Sequence, residues 1–208
     1  MSIATDFFDV IYTTRTIRKF TQEPVPINLV HQVLAAATQA PSGGNRQPWT
    51  FLLVVDPAIK QKVGEYYRDG YAEFQGVDVG YMWEQAENSP NFHLAVHFGE
   101  APVIVVICSQ HSVMSGDTTG GAISTPASVY PAVQNLLLAA RAVGLGGALT
   151  TNHRFHHEEI KKLLGIPDEQ IIFAMVPLGF PAQRHGKKTR QAIGDTAYQD
   201  RWGNPVKF

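Results

Sequence analysis

Cysteine is almost absent from the chain. Cys108 is the only one, so no internal disulfide can form, and the composition suits a reducing, cytoplasmic setting. It ends the run Val103-Ile104-Val105-Val106-Ile107-Cys108, a buried-strand pattern in which a packed thiol fits better than a nucleophile. An excess of charge is missing as well. The formal net charge is −1, which leaves no electrostatic footprint for nucleic acid or an anionic membrane. No apolar run is long enough to cross a bilayer, and Met1-Ser2-Ile3-Ala4-Thr5-Asp6 lacks the basic start and apolar core of a signal peptide. A dinucleotide fingerprint is also lacking, because the glycines of Gly144-Leu145-Gly146-Gly147 follow a helix pattern and do not have GxGxxG spacing. His93 and His97 stand at i, i+4, but Leu94 occupies the place where a metalloprotease needs glutamate. No third ligand is evident, so no metal site is expected.

What the chain does have is apolar bulk. With 208 residues, 44% hydrophobic and 17% charged, it reads as a single globular domain able to bury a sizeable core. Its organising stretch is Ala40-Pro41-Ser42-Gly43-Gly44-Asn45-Arg46-Gln47-Pro48-Trp49. Gly43 and Gly44 carry no side chains that would hold a flat ligand off the backbone. Ser42, Asn45 and Gln47 offer short donors and acceptors for a polar ring edge, and Pro41 and Pro48 fix φ at both ends. The same residue types also make an ordinary helix-to-strand connection.

Around that stretch the pattern alternates helix and strand. Asp6 to Thr13 reads as a short helix, with Phe7, Phe8, Ile11 and Tyr12 at helical spacing. Thr13-Thr14-Arg15-Thr16-Ile17-Arg18-Lys19-Phe20 holds three cations and three hydroxyls, groups that suit a phosphate or, equally, a solvated basic turn. Asn28 to Thr38 is an amphipathic helix with Asn28 as its expected N-cap. Trp49 to Val55 is a strand. A helix opens at Asp56-Pro57 and runs to about Arg68. Arg68 to Pro90 is broken by Gly70, Gly76 and Gly80 and is rich in aromatics, among them Tyr71, Phe74, Tyr81 and Trp83. It suits either a mobile lid or packing over the core. Ala101 to Ser109 is a central strand, Ser112 to Thr125 a Gly/Ser/Thr-rich surface loop, and Pro126 to Gly144 a core helix with a broad apolar stripe. His156 to Gly165 reads as a short helix and Ile171 to Gly179 as a strand. A basic cluster, Arg184-His185-Gly186-Lys187-Lys188-Thr189-Arg190, precedes a polar and aromatic tail. In that tail Trp202 and Phe208 are exposed unless something covers them.

Five of these pieces, in this order, resemble the FMN-dependent nitroreductase family: Arg15-Thr16-Ile17-Arg18-Lys19-Phe20, Pro41 through Trp49, Gln134-Asn135-Leu136-Leu137-Leu138-Ala139-Ala140, Gly144-Leu145-Gly146 and Lys188-Thr189-Arg190. The resemblance implies an α+β fold with a mostly antiparallel central sheet flanked by helices. It also implies a homodimer whose C-terminal extension crosses to the partner, with each FMN in the dimer interface. Carried over by position, Arg15 and Thr16 meet the FMN phosphate, beside Thr14, which stands where many relatives have arginine. Lys188 and Arg190 complete the phosphate site, and Arg18 meets the pyrimidine end of the flavin. Pro41, Ser42, Gly43, Gly44 and Asn45, with Gln47, lie along its face or edge. The backbone of Ala148, Leu149, Thr150 and Thr151 lines the reactive side. The implied activity is a cytoplasmic oxidoreductase that takes a hydride from NADH or NADPH and reduces nitroaromatic, quinone or similar small-molecule acceptors. The hydride chemistry is carried by FMN, with no side-chain nucleophile and no metal. The same scaffold would also serve a reductive dehalogenase, a flavin-fragmenting enzyme or a flavin-binding protein without turnover.

Overall fold

The computed structural model of the chain describes the backbone of residues 6–110 and 120–206, and the side chains of residues 6–110 and 124–206. The fold is α+β. Four strands, β1 (Trp49–Val54), β2 (Val103–Gln110), β3 (Gly146–Gly147) and β4 (Gln170–Gly179), form an antiparallel sheet in the order β1-β2-β4-β3. The long apolar run of β2 is explained by its central place. Ile104, Val106 and Cys108 point to one face and Val103, Val105 and Ile107 to the other, and each face is covered by its own cluster. One cluster carries α3 (Pro57–Gln75), α4 (Val79–Gln85), α5 (Pro90–Val96) and α7 (His157–Leu164); the other carries α2 (Ile27–Ala37) and α6 (Gly120–Ala142). Between Ile107 and Cys108 the pairing with β4 slips past Phe173. This bulge turns Ile172 to the face opposite Ala174 and Val176.

Several helix ends follow from local chemistry. Asp6 caps α1 (Phe7–Thr13) by accepting the Asp9 N–H at 2.9 Å, and Asp56 caps α3 by accepting the Ile59 N–H at 3.0 Å ahead of Pro57. The α2 cap differs from the expected one. Pro26 holds the cap position and Asn28 lies inside the first turn, because the Leu29 N–H already bonds the Pro26 carbonyl.

The helix predicted to stop near Arg68 continues to Gln75 and ends at Gly76 with φ 65°. Gly70 is a point of close approach, not a break. A β-carbon there would stand 2.9 Å from the Asn152 carbonyl oxygen, on the turn that α3 packs against. The aromatic segment therefore folds largely as packing: Tyr67, Tyr71 and Met82 are buried, while Phe74, Tyr81 and Trp83 stay half in solvent. Helix α6 begins at Gly120, so residues 120–125 are helical where a loop was expected; residues 112–119 of that expectation lie outside the described residues. Pro126 and Pro131 sit inside this helix and not at its start, and Ser128 Oγ bonds the Ser124 carbonyl at 3.3 Å. The two-residue strand β3 was not legible, since two glycines carry no strand propensity.

Candidate active site

The residues from Thr14 to Phe20 run extended from the end of α1 and are sewn to two other segments. Toward the sheet, the Ile17 N–H bonds the Gly147 carbonyl at 3.0 Å, and the Ile17 side chain is buried on Gly146. Toward the C-terminal segment, Ala182 N–H reaches Lys19 O at 2.9 Å and Gly186 N–H reaches Thr13 O at 3.0 Å. Between these, side chains replace the backbone. Gln183 Oε1 accepts from Arg18 N–H at 2.9 Å and from Lys19 N–H at 3.2 Å, and His185 Nδ1 accepts from Arg15 N–H at 3.4 Å. With Ile17 anchored inward, Arg15 and Thr16 are left at the surface.

This clasp walls a recess of about 210 Å³. Thr14, Arg15 and Thr16 face it from the extended arm, Lys188 and Arg190 from the C-terminal segment, and Gln134 and Leu137 from α6, with Gly147 and His185 completing the wall. Five of the sequence-predicted residues thus come together, with three cations and two hydroxyls and no carboxylate among the lining residues. That donor set fits a phosphate monoester. Lys188 Nζ also bonds the Ile11 carbonyl at 2.9 Å near the C-terminal end of α1. Burial, then the Arg190 charge, pulls its pKa below the usual lysine value. Gln134, Leu137, Gly147 and His185 were not singled out as site residues. The available signal was a glutamine set among the apolar residues of α6, and a histidine inside a basic cluster.

The other predicted residues lie elsewhere. Gly43–Asn45 forms a single 3₁₀ turn, and across it and the residues that follow, Gly44, Asn45 and Gln47 have φ of 59°, 54° and 50°. Two of these are not glycine, so the turn stores backbone strain of the kind found at ligand-binding loops. Ser42 Oγ accepts the Gln47 N–H at 3.0 Å, and Ser128 Oγ on α6 accepts the Gly43 N–H at 3.3 Å. Gly43 and Gln47 border a second recess of about 520 Å³, shared with Trp49, Thr125 and Ser128. None of Pro41, Ser42, Gly43, Gly44, Asn45 and Gln47 lines the recess that Arg15 and Arg190 wall in this chain, and no residue lines both recesses.

Arg18 lines neither recess. Its charge instead acts on the phenols of Tyr67 and Tyr71 on α3, opposing the effect of burial. Burial pushes Tyr67 up to about 12, against hydrogen bonding from Asn152 and Thr150. After β3, Thr150 pairs with Met175 through its backbone, and its hydroxyl donates to the Met175 carbonyl at 2.7 Å. Ala148 is buried, Thr151 is half-buried and Leu149 is exposed. Cys108 is buried, and burial raises its thiol to about 11, which leaves no thiolate at neutral pH. His93 and His97 lie tilted against each other with ring centres 4.4 Å apart at the end of α5, and His97 Nδ1 is 2.8 Å from Glu100 Oε1. Among the described residues no group of three or more metal-binding side chains gathers.

Against known proteins, residues 11–180 match the model of the nitroreductase family. A provisionally named NADH dehydrogenase/NAD(P)H nitroreductase of Methanothermobacter thermautotrophicus is 28% identical over 95% of this chain and 88% of its own length. The iodotyrosine deiodinase of Haliscomenobacter hydrossis is 28% identical over 88% of this chain and 82% of that protein. Among solved structures, an oxidised iodotyrosine deiodinase bound to FMN and 3-iodo-L-tyrosine superposes with a TM-score of 0.72 at 27% identity, covering 95% of this chain and 98% of that one. The NADPH:FMN oxidoreductase of Vibrio harveyi, complexed with NAD+, shares the fold at a TM-score of 0.71 and 21% identity, over 95% and 78% of the two chains.

Proposed function

Since the chain belongs to the nitroreductase family, we propose that it is an FMN-dependent oxidoreductase of the cytoplasm. In this reading it takes a hydride from NADH or NADPH and reduces nitroaromatic, quinone or similar acceptors in a ping-pong cycle. The observation that carries this reading is the recess walled by Arg15, Lys188 and Arg190 with Thr14 and Thr16, whose donors suit a phosphate. FMN, once bound, would supply the redox chemistry. The chain supplies position and charge. Arg15, Thr16, Lys188 and Arg190 hold the phosphate end. Arg18, outside that recess and acting on Tyr67 and Tyr71 of α3, would bear its charge on the pyrimidine end. The Ala148–Thr151 backbone would line the reactive side, and the protein would hold that side oriented and dry.

The Pro41–Gln47 loop stands apart from the phosphate recess of its own chain. That separation supports a homodimer in which each flavin is shared between copies. The tail supports the same assembly, because Trp202 is 93% exposed and a partner surface would cover it.

The FMN-bound deiodinase neighbour supports a second reading, reductive dehalogenation of a halogenated phenol on the same site. Anaerobic mixing of the purified yellow protein with NADH or NADPH tests the first half-reaction by bleaching of the chromophore. Re-oxidation by a nitroarene, a quinone or a 3-iodophenol separates the two readings. A flavin that neither pyridine nucleotide bleaches would overturn the first.

A further inference from the structure

His185 meets the arm and the sheet at once. Its Nδ1 accepts the Arg15 N–H at 3.4 Å, and its Nε2 lies 3.1 Å from the Leu145 carbonyl, two residues before Gly147. A carbonyl only accepts and a backbone N–H only donates, so both contacts require the same form of the ring. That form is the neutral imidazole with its proton on Nε2. The half-buried ring also lines the phosphate recess. We propose that His185 is a positioning residue for the cofactor site: its neutral Nε2–H tautomer spans Arg15 and Leu145, and protonation at Nδ1 opens the recess and weakens flavin retention.

The geometry gives the direction. A proton on Nδ1 would face the Arg15 N–H donor to donor, so the ring or the arm must move. The groups around the ring act the same way. Arg141 of α6, Arg15 of the arm and Lys188 of the C-terminal segment are all cationic. No carboxylate is among the described groups that act on the ring, and Asp9 of α1 lies 3.8 Å from Arg141. Burial is the main cause that holds the imidazole below its ordinary value; the hydrogen bond to Leu145 opposes it, and these cations add smaller lowering effects. The ring is therefore neutral at pH 7 and protonates only under acid conditions, when the clasp should loosen. A structural filler would make no such distinction between protonation states.

The proposal rests on the flavin reading, so its test has an arm that needs no flavin. Long-range ¹H–¹⁵N NMR of the flavin-free protein at neutral pH should show the Nε2–H tautomer for His185, assigned with His185→Gln. The Nδ1–H tautomer, or a charged ring, overturns the proposal whatever the protein binds. In the second arm, FMN dissociation constants are measured by fluorescence quenching from about pH 8 to about pH 5 for wild type, His185→Gln and His185→Asn. The FMN phosphate itself titrates near pH 6, so the ratio of variant to wild type is the readout. The expected ratio is about tenfold at neutral pH, falling toward one as the wild-type ring protonates. A ratio that does not change with pH overturns the proposal. So does one that grows in acid, which would mean that the imidazolium contacts the phosphate. Absence of FMN binding in wild type, with the Nε2–H tautomer present, overturns the flavin reading and the proposed role in retention while leaving the tautomer assignment in place.

Discussion

Ile17 rests on Gly146 so closely that a β-carbon at residue 146 would collide with Ile17 Cγ1 and stand 2.8 Å from its Cβ. The contact fixes the arm that carries Arg15, Thr16 and Arg18, since the Ile17 N–H is bonded to the next residue of the same strand. Gly146→Ala should therefore push the arm off the sheet, at an overpacking cost of about 1–3 kcal/mol, and flavin should be lost with it. Gly186→Ala is the control, because a β-carbon there meets nothing within 4 Å. Thermal midpoints and flavin-to-protein ratios check this. A Gly146→Ala protein with the midpoint and flavin content of wild type would show that the arm is not seated as described.

Arg190 lines the recess, and its Nη1 donates to the adjacent Thr189 carbonyl at 2.8 Å. A charge-assisted hydrogen bond contributes about 1.5–3 kcal/mol. Arg190→Ala should thus weaken FMN binding by about tenfold or more and leave riboflavin, which lacks the phosphate, bound as in wild type. Equal affinity of the variant and wild type for FMN would move the phosphate elsewhere.

How much of this was legible in the sequence divides along physical lines. The strand Val103–Gln110 was visible because both of its faces are covered, so its apolar run has no polar interruptions. The helix starts beside Asp6 and at Asp56-Pro57 were visible because the signals that open a helix are local, although neither aspartate was read as a cap. Gly70 was misread because a glycine inside a helix signals a break in the sequence, and only the tertiary contact with Asn152 shows it as a packing point. That Arg15, Lys188 and Arg190 line one recess was legible as clustered charge in two segments; that the recess takes a phosphate remains the proposal made above. His185 was not, since its role depends on what two backbone groups, far apart in sequence, offer to its two nitrogens.

The tail makes a further expectation testable. Tyr198 and Trp202 pack on each other with ring centres 5.1 Å apart, yet Trp202 stays almost wholly exposed. Removing residues 197–208 should loosen the proposed homodimer and release flavin. Light scattering together with flavin absorbance reads both effects. A truncated protein that remains a flavin-loaded dimer, or a full-length protein that is monomeric, would refute the assignment of the tail.

His153 predicts how stability depends on pH. It is buried, its Nε2 is 2.8 Å from the Ile172 carbonyl, and burial is the main cause that lowers its pKa to about 4. The folded pKa lies below the unfolded one, near 6.5, so the unfolded chain takes up the proton first. The neutral ring's contribution is fully present above about pH 6.5 and is lost as pH falls toward 4. The loss is on the order of 3 kcal/mol. Urea unfolding across that window should show a shallower acid limb for His153→Gln than for wild type. Identical limbs would remove His153 from the account.

Arg18 is the cation for which position and consequence can be separated most cleanly. It stands apart from the phosphate recess, and its charge acts on Tyr67 and Tyr71. In the proposed enzyme, two-electron reduction leaves negative charge at the pyrimidine end of the flavin. A fixed guanidinium there interacts more strongly with the reduced form than with the oxidised form. It should raise the midpoint potential, and with it the rate of hydride uptake from the pyridine nucleotide. A differential interaction of about 1.4 kcal/mol corresponds to roughly 30 mV for a two-electron couple. Arg18→Gln keeps the capacity to donate hydrogen bonds and removes the charge, so FMN should stay bound while its potential falls by about that amount. Arg15→Gln, on the phosphate side, should weaken binding with little change in potential. Spectroelectrochemical titration of the three proteins at equal flavin occupancy distinguishes the two roles. Equal midpoints for wild type and Arg18→Gln would leave Arg18 as a surface cation beside α3.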